Sequence, residues 1–83
     1  MRTEQDVLND FEKLEWKIIE NNEDELVLLQ SFKNKIGYYL LKIYKPIGVY
    51  RKMCIIKNED YSADIELQEH KLLNELFQIW GWI

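Results

Sequence analysis

Residues 66–83, ELQEHKLLNELFQIWGWI, limit the possible folds more than any other stretch of this chain. Projected at 100° per residue, Leu72, Leu73, Leu76, Phe77, Ile79 and Trp80 fall within an arc of about 160°, and Gln68, His70, Lys71, Asn74, Glu75 and Gln78 fall outside it. Gly81 follows the last periodic residue, where a left-handed residue closes a helix, so Trp82 and Ile83 can fold back onto the final turn. At the other end Glu66 is the expected N-cap, with Glu69 reaching back to its amide. A one-sided helix holds only against a surface that takes its apolar side. The middle of the chain supplies that surface as strands.

Thr3, followed three residues later by Asp6, reads as a capping box. Val7, Phe11 and Leu14, with Leu8 at the edge, mark a short amphipathic helix over 4–14. The period then becomes extended at 16–20, and Asn21-Asn22-Glu23-Asp24 makes a turn, because Asn and Asp tolerate left-handed backbone and bond their own chain. A second strand covers 26–32. The third and fourth, 36–44 and 49–57, flank Lys45-Pro46-Ile47-Gly48. Proline at i+1 of a type I turn and Gly48 as the left-handed residue of a bulge would pair Lys45 with Val49. Tyr39, Leu41, Ile43, Arg51, Met53 and Ile55 then share one face, the expected core face. Tyr38, Leu40, Lys42, Tyr44, Tyr50, Lys52, Cys54 and Ile56 share the other. That second face sets Lys42 against Lys52, and like charges opposed across a ladder are destabilising, so it should meet water or an acidic partner. A different loop length would exchange the faces. A short edge strand at 61–65, with Tyr61, Ala63 and Ile65 alternating, precedes the last helix.

Charge is segregated along the chain. Residues 3–32 carry nine acids and two lysines, 33–57 carry seven bases and no acid, and 58–83 carry six acids and one lysine. Either acidic helices cover a basic sheet, or the basic middle is a binding field; solvated charge is the commoner case. The 83 residues make one domain, 1–83, and a domain this small buries only about 60% of its unfolded surface. Cys54 is the single cysteine, so no disulfide can form within the chain, and Cys54 with His70 is too few ligands for structural zinc. No apolar run approaches the roughly 18 residues of a membrane span, and the acidic start lacks the form of a signal peptide. A cytoplasmic protein without cofactor is expected.

FEKLEW at 11–16, the turn at 19–22 and QEHKLLNELFQIWGWI at 68–83 resemble a group of small phage and prophage proteins of Gram-positive bacteria. Their pattern is an amino-terminal F-E-x-L-G-aromatic and a carboxy-terminal helix ending Gly-Trp-Ile or Gly-Trp-Leu. Glu15 stands where the pattern has Gly, and Glu66 where Asp or Asn would be the usual cap. The resemblance implies a mobile-element origin and no catalytic activity.

Motifs for chemistry are few. The three glycines are isolated and do not form a phosphate loop. His70 lies on the polar side of its helix with no Ser or Cys at helical spacing. Cys54, beside Ile55 and Ile56, reads as a buried thiol rather than a nucleophile. The Glu23-Asp24-Glu25 cluster lacks the spaced ligands of a calcium loop. An enzyme is therefore not expected.

The expected architecture is a two-layer α+β domain: an N-terminal helix, an antiparallel meander of four to five strands, and the C-terminal amphipathic helix. Two short helices cannot cover both faces of such a sheet. The face bearing Tyr38, Leu40, Lys42, Tyr44, Tyr50, Lys52 and Ile56 is thus the candidate interface of a protein-interaction module, forming a homodimer or binding a host or phage protein. Two alternatives stay open. Tyrosines interleaved with lysines could stack single-stranded nucleic acid, against a net charge of −4. The acidic segments could instead act as a decoy for a host nucleic-acid-handling protein.

Overall fold

In the computed structural model, which describes residues 2–34 and 36–83, the first helix, α1 (Glu4–Lys13), starts at the expected box. Asp6 N–H donates to Thr3 Oγ1, and Thr3 N–H donates to Asp6 Oδ2 at 2.9 Å, which holds the Asp6 carboxyl below its usual pKa. The turn out of α1 places Glu15 at φ 70°, a left-handed position where the resembling pattern has Gly. Lys35, one of the bases counted above, lies outside the described residues.

Five strands follow: β1 (Lys17–Asn21), β2 (Glu25–Ser31), β3 (Gly37–Tyr44), β4 (Val49–Ile56) and β5 (Glu59–Ser62). Each pairs antiparallel with the next, so the sheet is a meander in the order β1-β2-β3-β4-β5. The first turn is an Asx turn, with Asn22 Oδ1 accepting from the amides of Asp24 and Glu25 at 2.8 and 2.9 Å. The fifth strand differs from expectation: it spans Glu59–Ser62 rather than 61–65. Lys57 and Asn58, at φ 52° and 64°, form a tight left-handed turn, and Glu59 pairs at once with Ile56.

The last helix, α2 (Leu67–Ile79), ends as its sequence implies. Gly81 sits at φ 81°, its amide bonds Gln78 O, and Trp82 N–H bonds Phe77 O at 2.8 Å. This is a Schellman closure, with Trp82 stacked on Phe77 at 4.6 Å between ring centroids. Ile79 alone of the expected arc is largely exposed, standing at its edge beside Arg2 and Gln78.

Both helices lie on one side of the sheet. Val7, Leu8 and Phe11 of α1 and Leu72, Leu73, Leu76 and Phe77 of α2 form one core with Trp16, Leu26, Leu28, Leu41 and Ile43. The helices are tied to each other by Arg2, which bridges Asp10 and Glu75, and by Trp80 Nε1–H donating to Glu4 Oε1 at 2.7 Å. Gln30 Nε2 reaches back from β2 to the Leu14 carbonyl at 2.7 Å, holding the end of α1 to the sheet.

Candidate functional site

The β3–β4 hairpin decides which side chains face the helices, and its register differs by one from the expected pairing. Tyr44, not Lys45, pairs with Val49, so Lys42 faces Arg51 and Leu41 faces Lys52. The loop therefore takes four residues, Lys45 to Gly48, closed by Gly48 N–H on Tyr44 O at 3.0 Å. Gly48 is left-handed as expected, at φ 68°. Lys45 itself stays with β2: its amide donates to the Asp24 carbonyl at 2.9 Å, continuing the β2–β3 ladder, its ammonium donates to Asn21 Oδ1 at 2.9 Å, and that ammonium sits 5.1 Å from the Trp80 ring centroid.

Because side chains alternate along a strand, this slip exchanges the faces of β4. Tyr50, Lys52, Cys54 and Ile56 join Tyr39, Leu41 and Ile43 on the helix side. Tyr50 packs against Phe77 with centroids 5.2 Å apart, a contact that only the helix-covered side allows. Of the expected interface, Tyr38, Leu40, Lys42 and Tyr44 lie together on the open side, while Tyr50, Lys52 and Ile56 do not. Arg51, Met53 and Ile55, expected in the core, take their places beside β3.

On the helix side the slip buries a lysine. Lys52 Nζ lies 2.8 Å from Glu69 Oε1, with both side chains at least 95% buried. The ammonium also lies 4.6 Å from the Tyr39 ring centroid and 5.7 Å from that of Trp16, so two π faces complete its surroundings. Glu69 Oε1 accepts the Glu66 amide as well, at 3.0 Å, so one carboxylate both caps α2 and neutralises the lysine. The signal for this pair was present in the helical projection: Glu69 falls in the middle of the apolar arc of 66–83. The Trp16 Nε1–H is buried without a hydrogen-bond partner among the described residues.

A groove of about 570 Å³ opens beside this pair, between β4, β5 and the segment leading to α2, and Cys54, Ile56 and Tyr61 line it. Cys54 is half-buried there. The Tyr61 hydroxyl donates to Glu59, which raises its pKa above the ordinary value. Lys52, which also lines the groove, is committed to Glu69 and two rings. Among the described residues no group of three or more His, Cys, Asp or Glu side chains is placed to hold a metal ion.

The open face carries the second apolar surface. Strand registers line up Lys17, Leu29, Leu40, Met53 and Ser62 in one row, and Glu20, Val27, Lys42 and Arg51 in the next. A bulge at Ile19 adjusts β1 so that Glu20 meets Val27. Val27, Met53 and Ile55 are only 5, 6 and 9% exposed, yet they lie outside the helix-side core. Both helices lie on the other side; neighbours in the sheet flank these residues, and Ile36 and Asn58 of the adjoining turns line a groove with Ile55 and Tyr38. Leu29, Tyr38, Leu40, Lys42 and Tyr44 around them are half-buried.

No protein-family model matches the chain, and no curated protein or solved structure matches it. Among the described residues no helix is long and apolar enough to cross a membrane.

Proposed function

We propose that the protein is a non-catalytic interaction module, an accessory protein of a phage or prophage acting in the cytoplasm, and that it self-associates through its open sheet face. The observation that supports this reading is the apolar belt Val27–Leu29–Leu40–Met53–Ile55 on the side that no element covers. A sheet is stable with one face in water when that face is polar, and this one is apolar through its middle. Packing two such faces together gives each sheet the second layer it lacks.

Sedimentation equilibrium of wild type and of Leu40→Asp tests the reading. Wild type is expected to be a dimer at micromolar concentration, and Leu40→Asp a folded monomer by circular dichroism. A wild-type monomer at every concentration would overturn it. A folded Leu40→Asp dimer would move the interface elsewhere.

A second reading has one observation in its favour. Lys42 and Arg51 stand side by side on this face next to Tyr44, a combination that suits a phosphate beside a stacked base. Titration with a labelled single-stranded oligonucleotide at low salt tests it, and binding that weakens steeply with salt would support it.

A further inference from the structure

The charges of the open face are sorted by strand. Its acids Glu20 and Glu25 belong to β1 and β2, and its bases Lys42 and Arg51 belong to β3 and β4. Glu20, Val27, Lys42 and Arg51 form one row across four strands, acid at one end and base at the other. Among the described residues none of these four charged side chains takes part in an ion pair. Lys42 and Arg51 are direct cross-strand neighbours, a repulsive placement in a monomer. The signs reverse at the margins, where Lys17 lies on β1 and Asp60 on β5.

From this pattern, and resting on the self-association proposed above, we infer the geometry of the dimer: a twofold axis runs parallel to the strands, between β2 and β3. Such an axis turns one sheet over onto the other, so that β1 lies on β4 of the second copy and β2 lies on β3. Glu20 then meets Arg51 of the second copy, twice per dimer. Leu29 meets Leu40 of the second copy, also twice, in the apolar row. The stem of Lys42 lies over Val27 of the second copy, and its ammonium gains Glu20 and Glu25 of that copy as neighbours. Lys17 is brought towards Asp60 of the second copy. The alternative twofold, perpendicular to the strands, lays β3 on β3 and β4 on β4, which leaves Lys42 and Arg51 with no acid of the second copy directly opposite.

The size of the face agrees with a modest dimer. The four opposed strands, about 4.8 Å apart and each contributing six or seven residues at about 3.4 Å, give a face of roughly 420 Å² per copy. The total of about 850 Å² lies below the standard range for specific interfaces, which fits weak, concentration-dependent association. Face-to-face sheets pack within about 30° of alignment, so rows four strands wide stay opposed.

Charge reversal tests the inference. Glu20 and Arg51 are exposed, so replacing them should leave the fold intact. Glu20→Arg alone sets arginine against arginine at both sites, and Arg51→Glu alone sets glutamate against glutamate. Each is expected to weaken dimerisation about tenfold to a hundredfold. Mixing the two variants should restore association as a heterodimer, read by native mass spectrometry or by energy transfer between differently labelled chains. The double variant Glu20→Arg with Arg51→Glu should dimerise like wild type. Single variants that dimerise as wild type does, or a mixture or double variant that stays monomeric, would overturn this geometry. If Leu40→Asp still abolished the dimer in that case, the face reading would stand without this axis. A monomeric wild type would remove both.

Discussion

The two faces of this sheet belong to the same alternating strands but treat charge in opposite ways. On the covered face Leu26, Leu28, Leu41 and Ile43 are fully buried, and one ion pair, Lys52–Glu69, is sealed among them with aromatic rings on its flanks. On the open face Val27, Met53 and Ile55 are nearly as well shielded while Leu29 and Leu40 are half-buried, and Lys42 and Arg51 stand together with no acid among the described residues paired to them. A buried lysine must find its counter-charge within the fold, because an unpaired charge in a core is too costly. A lysine on a face without a second layer can leave its counter-charge to solvent or to a partner. The difference separates what the chain needs to fold from what is left over for association.

The sharpest way to break the comparison is to unbalance the sealed pair. Lys52→Met strands Glu69 in the core and should cost about 3–5 kcal/mol in urea denaturation. The double change Lys52→Met with Glu69→Leu should return stability to within about 1 kcal/mol of wild type or above it. If Lys52→Met unfolded at nearly the wild-type midpoint, the pair would not be sealed as described.

Truncations on the two faces compare them directly. Phe77→Ala, on the covered side, should cost about 3–5 kcal/mol and Leu76→Ala about 2–5 kcal/mol. Met53→Ala, equally shielded but with no layer above it, should cost less than the about 2 kcal/mol at which that series begins, measured in dilute monomer. Equal losses from Met53→Ala and Leu76→Ala in the monomer would mean that the open face is packed as a core.

A smaller effect concerns the corner that lays α1 against the covered face. Glu15 holds a left-handed backbone at φ 70°, so Glu15→Gly should stabilise by about 0.5–1 kcal/mol in the same assay. A loss of stability would show that the Glu15 side chain contributes more than its backbone costs.

The smallest effect is at acid pH. The Arg2 guanidinium and the Thr3 amide hold the Asp10 and Asp6 carboxyls below their ordinary value of 3.8. A depressed carboxyl contributes stability that is present above the unfolded pKa and is lost as pH falls through the folded one. Asp10→Asn should therefore remove part of the stability difference between neutral pH and the region below 3.8, and leave the slope at higher pH unchanged. Urea midpoints across that range would show an unaltered acid loss if Asp10 had no part in it.

Much of the fold was legible locally, for stated physical reasons. The 100° projection of 66–83 identified the covered side of α2, and Glu69, expected only as the partner of the Glu66 cap, falls in the same arc. Gly81 closed the helix because only a residue at ease with positive φ fits there, and Thr3 with Asp6 opened α1 by satisfying free amides. The meander followed from short strands separated by turn residues. The fifth strand came earlier than its alternating pattern suggested, because the left-handed pair Lys57-Asn58 reverses the chain without further residues. What local sequence could not decide was the hairpin register. The contacts that distinguish the two registers come from a distant element: Tyr50 packs on Phe77 and Lys52 meets Glu69, both in α2. A strand has a side-chain period of two, so its register is a choice between two opposite outcomes. With the four-residue loop closed by Gly48 on Tyr44, Lys52 points inward to Glu69 and Arg51 stays outside beside Lys42.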